Sequence, residues 1–456
     1  MAGTPTPEIT LKDLLTPAWA ERKRILIISV IAAVVVLVIN LLLPNYYKAG
    51  AVILPETDKN KLGMMSQLAG IASLCVSYLG VWMRMINDPV QRTGADFIHF
   101  YSAGIIAQRY GAEHVYDITL QHDVEQELVG FALAERQVLP YNHLPFLIPL
   151  LQVVVNSDYV ASFYRWIAIM IAVHAAAILI LGKVLEGAGL PSDSVRIVQI
   201  GSLLFLPLFV SLLNGQDTAL LFLGAALWLY GFATGKEMVA GIGLGLATVR
   251  PHIAVLMAIP MLFSYSKVFA GFLISAGILA IVSISIIGIQ GTREFIDLIL
   301  LTAGGDWHGM NQDAMFNLLG LLLRIFRGLD PNTLRGVSWV MYAVAIPSLC
   351  VVWFRSRDRA MQPPIGVTVI LALLFAPHLH FHDLTLLLIP IYELLRTGGL
   401  KAPAATLTPI AVSLLLLVSN ASPYLQYTMP YLLMAAWVIY MYLPGFREKF
   451  TTLHRS

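Results

Sequence analysis

Asp96 begins the segment Asp96–Tyr101, which combines one carboxyl group with histidine and aromatic side chains shortly after a mostly apolar run. A carboxylate that is partly withdrawn from water binds a proton more readily, so it can act as a general base toward a hydroxyl. Aspartate is also a favoured helix N-cap, and the same residue could begin a helix at Phe97. The two roles are compatible, and the residue types alone do not separate them.

The segment Pro377–Asp383 carries three histidines at alternating positions, His378, His380 and His382. In an extended backbone these side chains share one face, where three imidazoles could hold a metal ion. They could equally bind an anionic phosphate, orient a base, or be ordinary interfacial histidines. Because no further ligands are evident, we expect no metal and favour an anion or substrate role.

Arginine and amide side chains occupy three further polar interruptions. Arg250 lies between two apolar runs, where a guanidinium could reach lipid headgroups or bind a lipid-linked phosphate in bidentate fashion. The sequence Asn-Gly-Gln-Asp at 214–217 has the composition of a tight turn, and Asn-Gln-Asp at 311–313 could cap a following helix. No phosphate-cradling loop or nucleophile elbow is present, so a nucleotide substrate is unsupported.

These segments lie in a chain of 456 residues that is 58% hydrophobic and 12% charged, with a mean hydropathy of +0.75. An ordinary soluble protein is about a quarter charged, so the composition predicts a membrane protein. The net charge of +2 is small and dispersed, which argues against a nucleic-acid partner, because such partners need a concentrated basic face. Cys75 and Cys350 lie inside apolar runs and predict neither a disulfide framework nor a metal site.

Apolar runs of helical length recur along almost the whole chain. They predict an all-α polytopic bundle with about 13 transmembrane helices, several of them short, and with outer-loop helices lying along the interface near residues 97–110, 144–155 and 315–326. We expect a polar N-terminal segment at residues 1–24, one membrane domain at 25–443 and a cytoplasmic tail at 444–456. The candidate spans are Ile25–Leu43, Gln67–Met85, Tyr159–Leu181, Ile197–Leu213, Thr218–Ala233, Val239–Val249, Ile253–Phe263, Val268–Ile287, Val337–Phe354, Ile365–Phe375, Leu384–Leu395, Ala404–Val418 and Leu425–Tyr442.

Lysine and arginine in the short loops alternate from one side of successive candidates to the other. Because such residues stay cytoplasmic, they define the inner face, and the outer face receives the large loop 87–158, the segment 288–336 and the histidines of 377–383. One conflict arises at the N-terminus, where an odd number of spans predicts an outer location but the basic residues at 22–24 favour the inner one. We expect the error to lie in the first two candidates.

Nine of the eleven histidines, all except His174 and His454, fall on the outer face or at outer helix ends in this topology. Ionisable groups at membrane depth are costly and mark a pathway or a site, so their concentration on one face predicts a single outward-facing cavity. A transporter would instead place such groups near the midplane, in broken helices of paired repeats, and the sequence has no convincing internal repeat.

The polar segments resemble, in order and spacing, those of glycosyltransferase family 87. These integral-membrane enzymes of the C-type (GT-C) superfamily include polyprenol-phosphate-mannose-dependent mannosyltransferases. The resemblance covers nearly the whole chain, with Arg rather than Lys before Pro251, Leu144 in place of a proline, and an additional span at 25–43. It rests on Asp96–Tyr101, Val115–Asp117, Tyr141–Phe146, Asn214–Gln216, Gly243–Ala247, Arg250–His252, Asn311–Gln312 and Pro377–Asp383.

The resemblance implies a GT-C-like fold and inverting transfer of one hexose, mannose or another, from a polyprenyl-phosphate donor to an acceptor hydroxyl. It makes Asp96 the general base and assigns Arg250, His378 and His380 to the donor phosphate, without a cofactor. The implied partners are the lipid donor, a glycolipid or glycan acceptor and membrane lipids, at the outer face of a bacterial inner membrane. The residues expected to bind substrate are His99, Tyr101, Asn142, Asn214, Gln216, Asn311, Gln312, His382 and Asp383.

Two other functional classes stay open. A transporter or flippase of a lipid-linked sugar would share the basic phosphate site but would not need an acid at Asp96. A polysaccharide polymerase or ligase would also use polar residues of the outer loops, but its donor would be a preassembled lipid-linked glycan.

Overall fold

The computed structural model describes residues 75–76, 78–85, 87, 95–303, 307, 310–357, 363–397, 407–419 and 422–442. All of them belong to one compact unit, residues 74–456. Within these residues the regular secondary structure is entirely helical, as predicted. The predicted polar segment 1–24, the candidate span Ile25–Leu43, most of Gln67–Met85 and the tail 444–456 lie outside the described residues.

Three helices form in the segment 87–158, which the sequence assigns to the outer face. They are α1 (Phe97–Arg109), α2 (Ile118–Val129) and α3 (Ile148–Val154). α1 packs against α2 and α3, and its residues are buried from Phe97 to Ala107. The expected interfacial helix at 97–110 is therefore enclosed by protein, because apolar and aromatic side chains surround almost its whole circumference.

The later apolar runs fold into helices whose bounds follow the predicted candidates closely. Short 3-10 turns join several of them, notably at Ala247–Val249, Gln312–Ala314 and Phe381–Leu387. The helices are α4 (Tyr159–Gly187), α5 (Ser192–Leu203), α6 (Leu206–Asn214), α7 (Thr218–Thr234), α8 (Glu237–Leu246), α9 (Pro251–Ser264), α10 (Ser266–Thr302), α11 (Leu318–Ile325), α12 (Pro331–Arg355), α13 (Ile365–Phe375), α14 (Leu388–Arg396), α15 (Thr408–Ser419) and α16 (Pro423–Tyr442).

Three of these helices, α4, α10 and α12, are long and apolar enough to cross a membrane. The pair α5 and α6, bent by 43°, makes a fourth crossing if it is counted as one span. Several other apolar helices are shorter than the roughly 20 residues that cross a bilayer unaided. The described residues thus support an integral membrane protein, whereas the predicted total of about 13 spans is not confirmed.

The bend between α5 and α6 divides the predicted span Ile197–Leu213. Pro207 stands in the first turn of α6, where its missing N–H is tolerated but where it cannot continue the preceding helix. The backbone N–H of Leu206 donates instead to the hydroxyl of Ser413, at 3.1 Å. The predicted span is therefore divided at Pro207, although its apolar pattern is continuous.

Glycines bring α7 and α8 close together as an antiparallel hairpin. A Cβ atom on Gly224 would lie 2.5 Å from the backbone oxygen of Gly243, and a Cβ on Gly243 would lie 2.5 Å from that of Gly224. Small residues at such contacts let helix backbones approach in membranes. As a result, Asp217 before α7 and Arg250 after α8 stand at the same end of the hairpin.

α10 breaks at Gly288, which has φ 66° and ψ −171°. Glycine adopts this conformation readily, whereas a side chain would strain it. The break coincides with the predicted start of the outer segment 288–336. It separates the apolar first part of α10 from the part that continues toward the outer loops.

Candidate active site

A cavity of about 680 Å³ lies among the loops that the sequence assigns to the outer face. It brings together eleven predicted site residues from segments far apart in the chain. Those that line it are Asp96, His99, Asn142, Asn214, Gln216, Arg250, Asn311, Gln312, His378, His380 and His382.

Two other predicted site residues, Tyr101 and Asp383, do not line the cavity. The hydroxyl of Tyr101 donates to the backbone oxygen of Asn156 at 2.9 Å. Asp383 is fully buried, and its Oδ2 accepts from the backbone N–H of His380 at 3.2 Å. The expectation that these two residues line the substrate site is therefore not met by their positions.

Asp96 stands at the N-cap position of α1, but its side chain makes no capping hydrogen bond. Its Oδ2 instead accepts from Nε2 of Gln216 at 2.7 Å. Oε1 of Gln216 in turn accepts from Nη2 of Arg250 at 2.9 Å. Of the two roles that the sequence left open, the capping one is wrong, and the carboxylate belongs to the cavity wall.

Arg250 is the centre of a buried ion network. Its Nη1 lies 2.9 Å from Oδ1 of Asp217, which precedes α7, and its Nε lies 3.6 Å from Oδ1 of Asp383. Oδ2 of Asp217 lies 2.9 Å from Nδ1 of His143. Both aspartates are inaccessible to solvent. The network thus fixes four loop segments relative to one another.

Each charge in this network is maintained by its neighbours. Burial alone would raise the pKa of Asp217, but Arg250 and His143 beside it hold that pKa below its usual range. Burial likewise opposes ionisation of Asp383, whose pKa is lowered by His382 and Arg250. The two carboxylates outweigh burial at Arg250 and raise its pKa. The guanidinium charge is therefore already balanced within the protein.

Three of the cavity histidines, His99, His378 and His380, are neutral near pH 7. Burial lowers the pKa of His99 and of His378 well below the usual value, and it lowers the pKa of His380 to about 4. A neutral imidazole donates from one ring nitrogen and accepts at the other. Both ring nitrogens of His99 and Nε2 of His380 are buried without a hydrogen-bond partner. Since buried polar atoms are rarely unpaired, these atoms are suited to a bound ligand.

The three histidines of 377–383 do not converge on one point. The ring centroids of His378 and His380 lie 4.7 Å apart, and those of His380 and His382 lie 6.0 Å apart. Within the described ranges, no group of three or more potential metal ligands comes together. The arrangement is that of hydrogen-bonding groups spread along a cavity wall.

The sequence interpretation missed His143, Asp217 and Arg335, which the structure places at or beside the cavity. Asp217 did carry a signal, because an acid next to an apolar helix is costly unless it is paired. His143 pairs with it across 74 positions, and no local pattern predicts such a contact. Arg335 resembles any interfacial arginine in sequence, and only its position in the fold distinguishes it.

Residues 143–377, just over half of the chain, match the family described as glycosyltransferase family 87. The chain belongs to glycosyltransferase family 87. Membership makes it a membrane glycosyltransferase, which uses a sugar donor and an acceptor. The matched region of this family 87 chain contains Asp217 and Arg250, whereas Asp96 precedes it.

A second family, described as chain length determinant protein, matches residues 7–86. These residues lie almost wholly outside the described part of this family 87 chain. No curated protein matches the chain.

Proposed function

We propose that this family 87 protein transfers one hexose, mannose or another, from a polyprenyl-phosphate donor to an acceptor hydroxyl with inversion. The observation that carries the proposal is the position of Asp96, whose carboxylate is not bound to its own helix and is oriented by Gln216 at the cavity. The cavity volume, about 680 Å³, falls within the range of small-molecule sites.

In the proposed step, Asp96 accepts the proton of the acceptor hydroxyl as that oxygen attacks the anomeric carbon of the sugar. The bond between the anomeric carbon and the phosphate oxygen breaks, and its electron pair leaves with the polyprenyl phosphate. Attack from the face opposite the leaving phosphate inverts the configuration. A positioned base of this kind accelerates proton transfer by about 10²- to 10⁴-fold.

Stabilisation of the leaving phosphate is assigned to fixed donors of the cavity wall. Arg250 contributes a guanidinium that is also paired with Asp217 and Asp383, and His378 and His380 contribute neutral N–H donors. Preoriented donors stabilise developing charge effectively, so no metal or other cofactor is required. The remaining polar lining residues would contact the sugar and the acceptor; they are His99, Asn142, Asn214, Gln216, Asn311, Gln312 and His382.

A lipid donor suits the position of the cavity beside α10 and α12. Ile299 and Thr302 of α10 and Trp339 of α12 line the cavity, while neighbouring apolar residues such as Leu300 and Val340 point outward and are exposed. A helix surface of this kind faces lipid in a membrane protein. The alternation of basic loops favours an outer location for the cavity. The family resemblance adds a bacterial inner membrane and a glycolipid or glycan acceptor to the proposal, and the apolar runs add about 13 spans.

The test compares wild type with Asp96→Asn in lipid nanodiscs. Each protein is incubated with radiolabelled polyprenyl-phosphate monosaccharides and total membrane lipid. Asp123→Asn is the matched control, since Asp123 is an exposed acid of the same outer loop that does not line the cavity. We expect labelled product from wild type and the control, and none from Asp96→Asn.

Two other outcomes would overturn parts of the proposal. Equal transfer by all three proteins would exclude Asp96 as the base. No transfer by any of them, with labelled lipid crossing the bilayer, would favour a flippase. The configuration of the product at the anomeric carbon, read by nuclear magnetic resonance, tests inversion separately.

A further inference from the structure

The charge balance around Arg250 leaves no surplus cation there for an anionic ligand. The Arg250 guanidinium is paired with Asp217 and Asp383, and it is linked to the Asp96 carboxylate through Gln216. Nη1 of Arg250 is paired with Asp217, Nη2 donates to Gln216, and Nε faces Asp383. A phosphate that approaches this wall meets a guanidinium whose charge is already paired. A second, unpaired cation would bind the phosphate more strongly than Arg250 alone.

Arg335, in the second turn of α12, is a candidate for this second cation. Apart from Arg250, it is the one arginine or lysine among the described residues that line the cavity. Its Nη1 donates to Oδ1 of Asn332 at 2.8 Å, and its Nη2 donates to Oε1 of Gln312 at 3.0 Å. Both hydrogen-bond acceptors are uncharged, so they orient the guanidinium without neutralising it. The carboxylate of Asp330, at the N-cap of α12, also interacts with Arg335, but it is exposed and solvent screens the interaction. Its Nε is buried without a hydrogen-bond partner.

Ser338 and Trp339 extend the same face of α12. Ser338 follows Arg335 by three residues, which places both on one side of the helix. The Ser338 hydroxyl lines the cavity and is also buried without a partner. Trp339 lines the cavity too, while 48% of its surface is exposed on the outward side of the helix. One helix face therefore offers a cation, a hydroxyl and an amphipathic ring at the boundary between cavity and lipid.

α12 is fixed relative to the arginine network. The hydroxyl of Tyr342 donates to the backbone oxygen of His252 at 2.9 Å, two residues after Arg250. α12 packs along α9, which begins at Pro251. Arg335, on the same helix, is thus held at the cavity whose wall also contains Arg250.

We infer that Arg335 and Ser338 bind the phosphate of a lipid-linked phosphate ligand, with Trp339 against the first units of its hydrocarbon chain. The identity of that ligand as the sugar donor rests on the proposed function. Nε and one terminal nitrogen of an arginine form a fork that matches two phosphate oxygens.

The experiment measures binding of undecaprenyl phosphate without any acceptor, in nanodiscs of phosphatidylcholine. Arg335→Gln is compared with wild type and with Arg327→Gln, which removes an exposed charge on the same predicted face away from the cavity. We expect Arg335→Gln to raise Kd by about tenfold or more, because a hydrogen-bonded charged pair is lost. Arg335→Lys should recover part of the affinity, and Ser338→Ala should raise Kd about threefold. The Ser338 variant keeps the test decisive if Arg335→Gln folds poorly.

Four results separate this inference from its alternatives. Equal Kd values for Arg335→Gln and Arg327→Gln would overturn it. Competition by phosphatidylglycerol as strong as that by unlabelled undecaprenyl phosphate would make Arg335 a headgroup contact and would also overturn it. If Arg335→Gln loses binding and the wild type transfers no sugar, the phosphate site is supported and the proposed function is rejected. If transfer occurs with an unchanged donor KM in Arg335→Gln, the function stands and this inference fails.

Discussion

The amide of Gln216 joins Asp96 to Arg250, donating to the carboxylate at 2.7 Å and accepting from the guanidinium at 2.9 Å. The orientation of the proposed base therefore depends on a residue 120 positions away in the chain. Gln216→Leu removes this orientation while leaving the carboxylate in place. We expect kcat for sugar transfer to fall by about tenfold to a hundredfold, because a misplaced base is a poor base.

The matched control for this variant is Gln290→Leu, since Gln290 is an exposed glutamine of the same predicted outer face. Initial rates at saturating donor and acceptor give kcat, and thermal unfolding in detergent checks the fold. A Gln216→Leu enzyme with the kcat of Gln290→Leu would show that Asp96 needs no orienting partner.

Arg250 holds the network together, so its removal should affect stability as well as activity. Arg250→Met leaves Asp217 and Asp383 buried without their cation. Breaking a buried pair in this way costs about 3 to 5 kcal/mol. We expect a marked fall in thermal stability, with a smaller fall for Arg250→Lys, which keeps the charge.

The control for the stability effect is Arg293→Met, because Arg293 is exposed on α10. Unfolding followed in detergent micelles compares the variants. Similar unfolding temperatures for Arg250→Met and Arg293→Met would mean that the ion network does not stabilise the fold.

Glu125 of α2 should make stability depend on pH. It is buried, its Oε2 accepts from the backbone N–H of Leu139 at 3.0 Å, and burial raises its pKa to about 8. The group is thus protonated in the folded protein at pH values where it ionises in the unfolded chain. Its contribution to stability is fully present below about pH 4.5 and is lost as the pH rises toward 8.

Glu125→Gln keeps the acceptor for Leu139 and cannot ionise. We expect its unfolding temperature to exceed that of wild type by an amount that grows between pH 5 and pH 8. The corresponding change in the free energy of unfolding is on the order of a few kcal/mol. Glu135→Gln, an exposed change in the same loop, should show no such trend. A constant difference between wild type and Glu125→Gln across this range would argue against a raised pKa.

The contact between Gly224 and Gly243 predicts a steric effect of a single methyl group. In Gly243→Ala the new Cβ would lie 2.5 Å from the backbone oxygen of Gly224, so α7 and α8 must separate. We expect a loss of about 1 to 3 kcal/mol in unfolding measurements. Gly277→Ala, on α10, meets no atom within 4 Å and should be neutral or slightly stabilising. Equal stability of the two variants would show that the hairpin tolerates wider spacing.

Most helices could be predicted because hydropathy alone determines where apolar segments lie. Ile365–Phe375 was predicted with the bounds that α13 has. The points at which helices break were harder to predict. Pro207 and Gly288 change the backbone there without changing the apolar pattern. The cap proposed for the helix near residue 315 was wrong, because Asn317 caps α11 by accepting from the N–H of Gly320.

The sequence predicted many of the residues that line the cavity, but it did not predict the hydrogen bonds and ion pairs between them. Polar residues in an apolar chain stand out, which explains why Asp96, Gln216 and Arg250 were recognised. Their hydrogen bonds depend on helix packing between distant segments, and a single sequence carries no record of these contacts. Asp383 illustrates the limit: it was expected to bind substrate, but it is buried behind Arg250.

The ion pair between Asp217 and Arg250 spans the open end of the α7–α8 hairpin and has a consequence for biogenesis. The two residues are separated by a single helical hairpin, so both are available as soon as that hairpin has been synthesised. A lone arginine or aspartate opposes entry into the hydrocarbon layer, whereas a neutral pair opposes it much less. The hairpin can therefore enter the hydrocarbon layer with these two charges already paired, before Asp383 has left the ribosome.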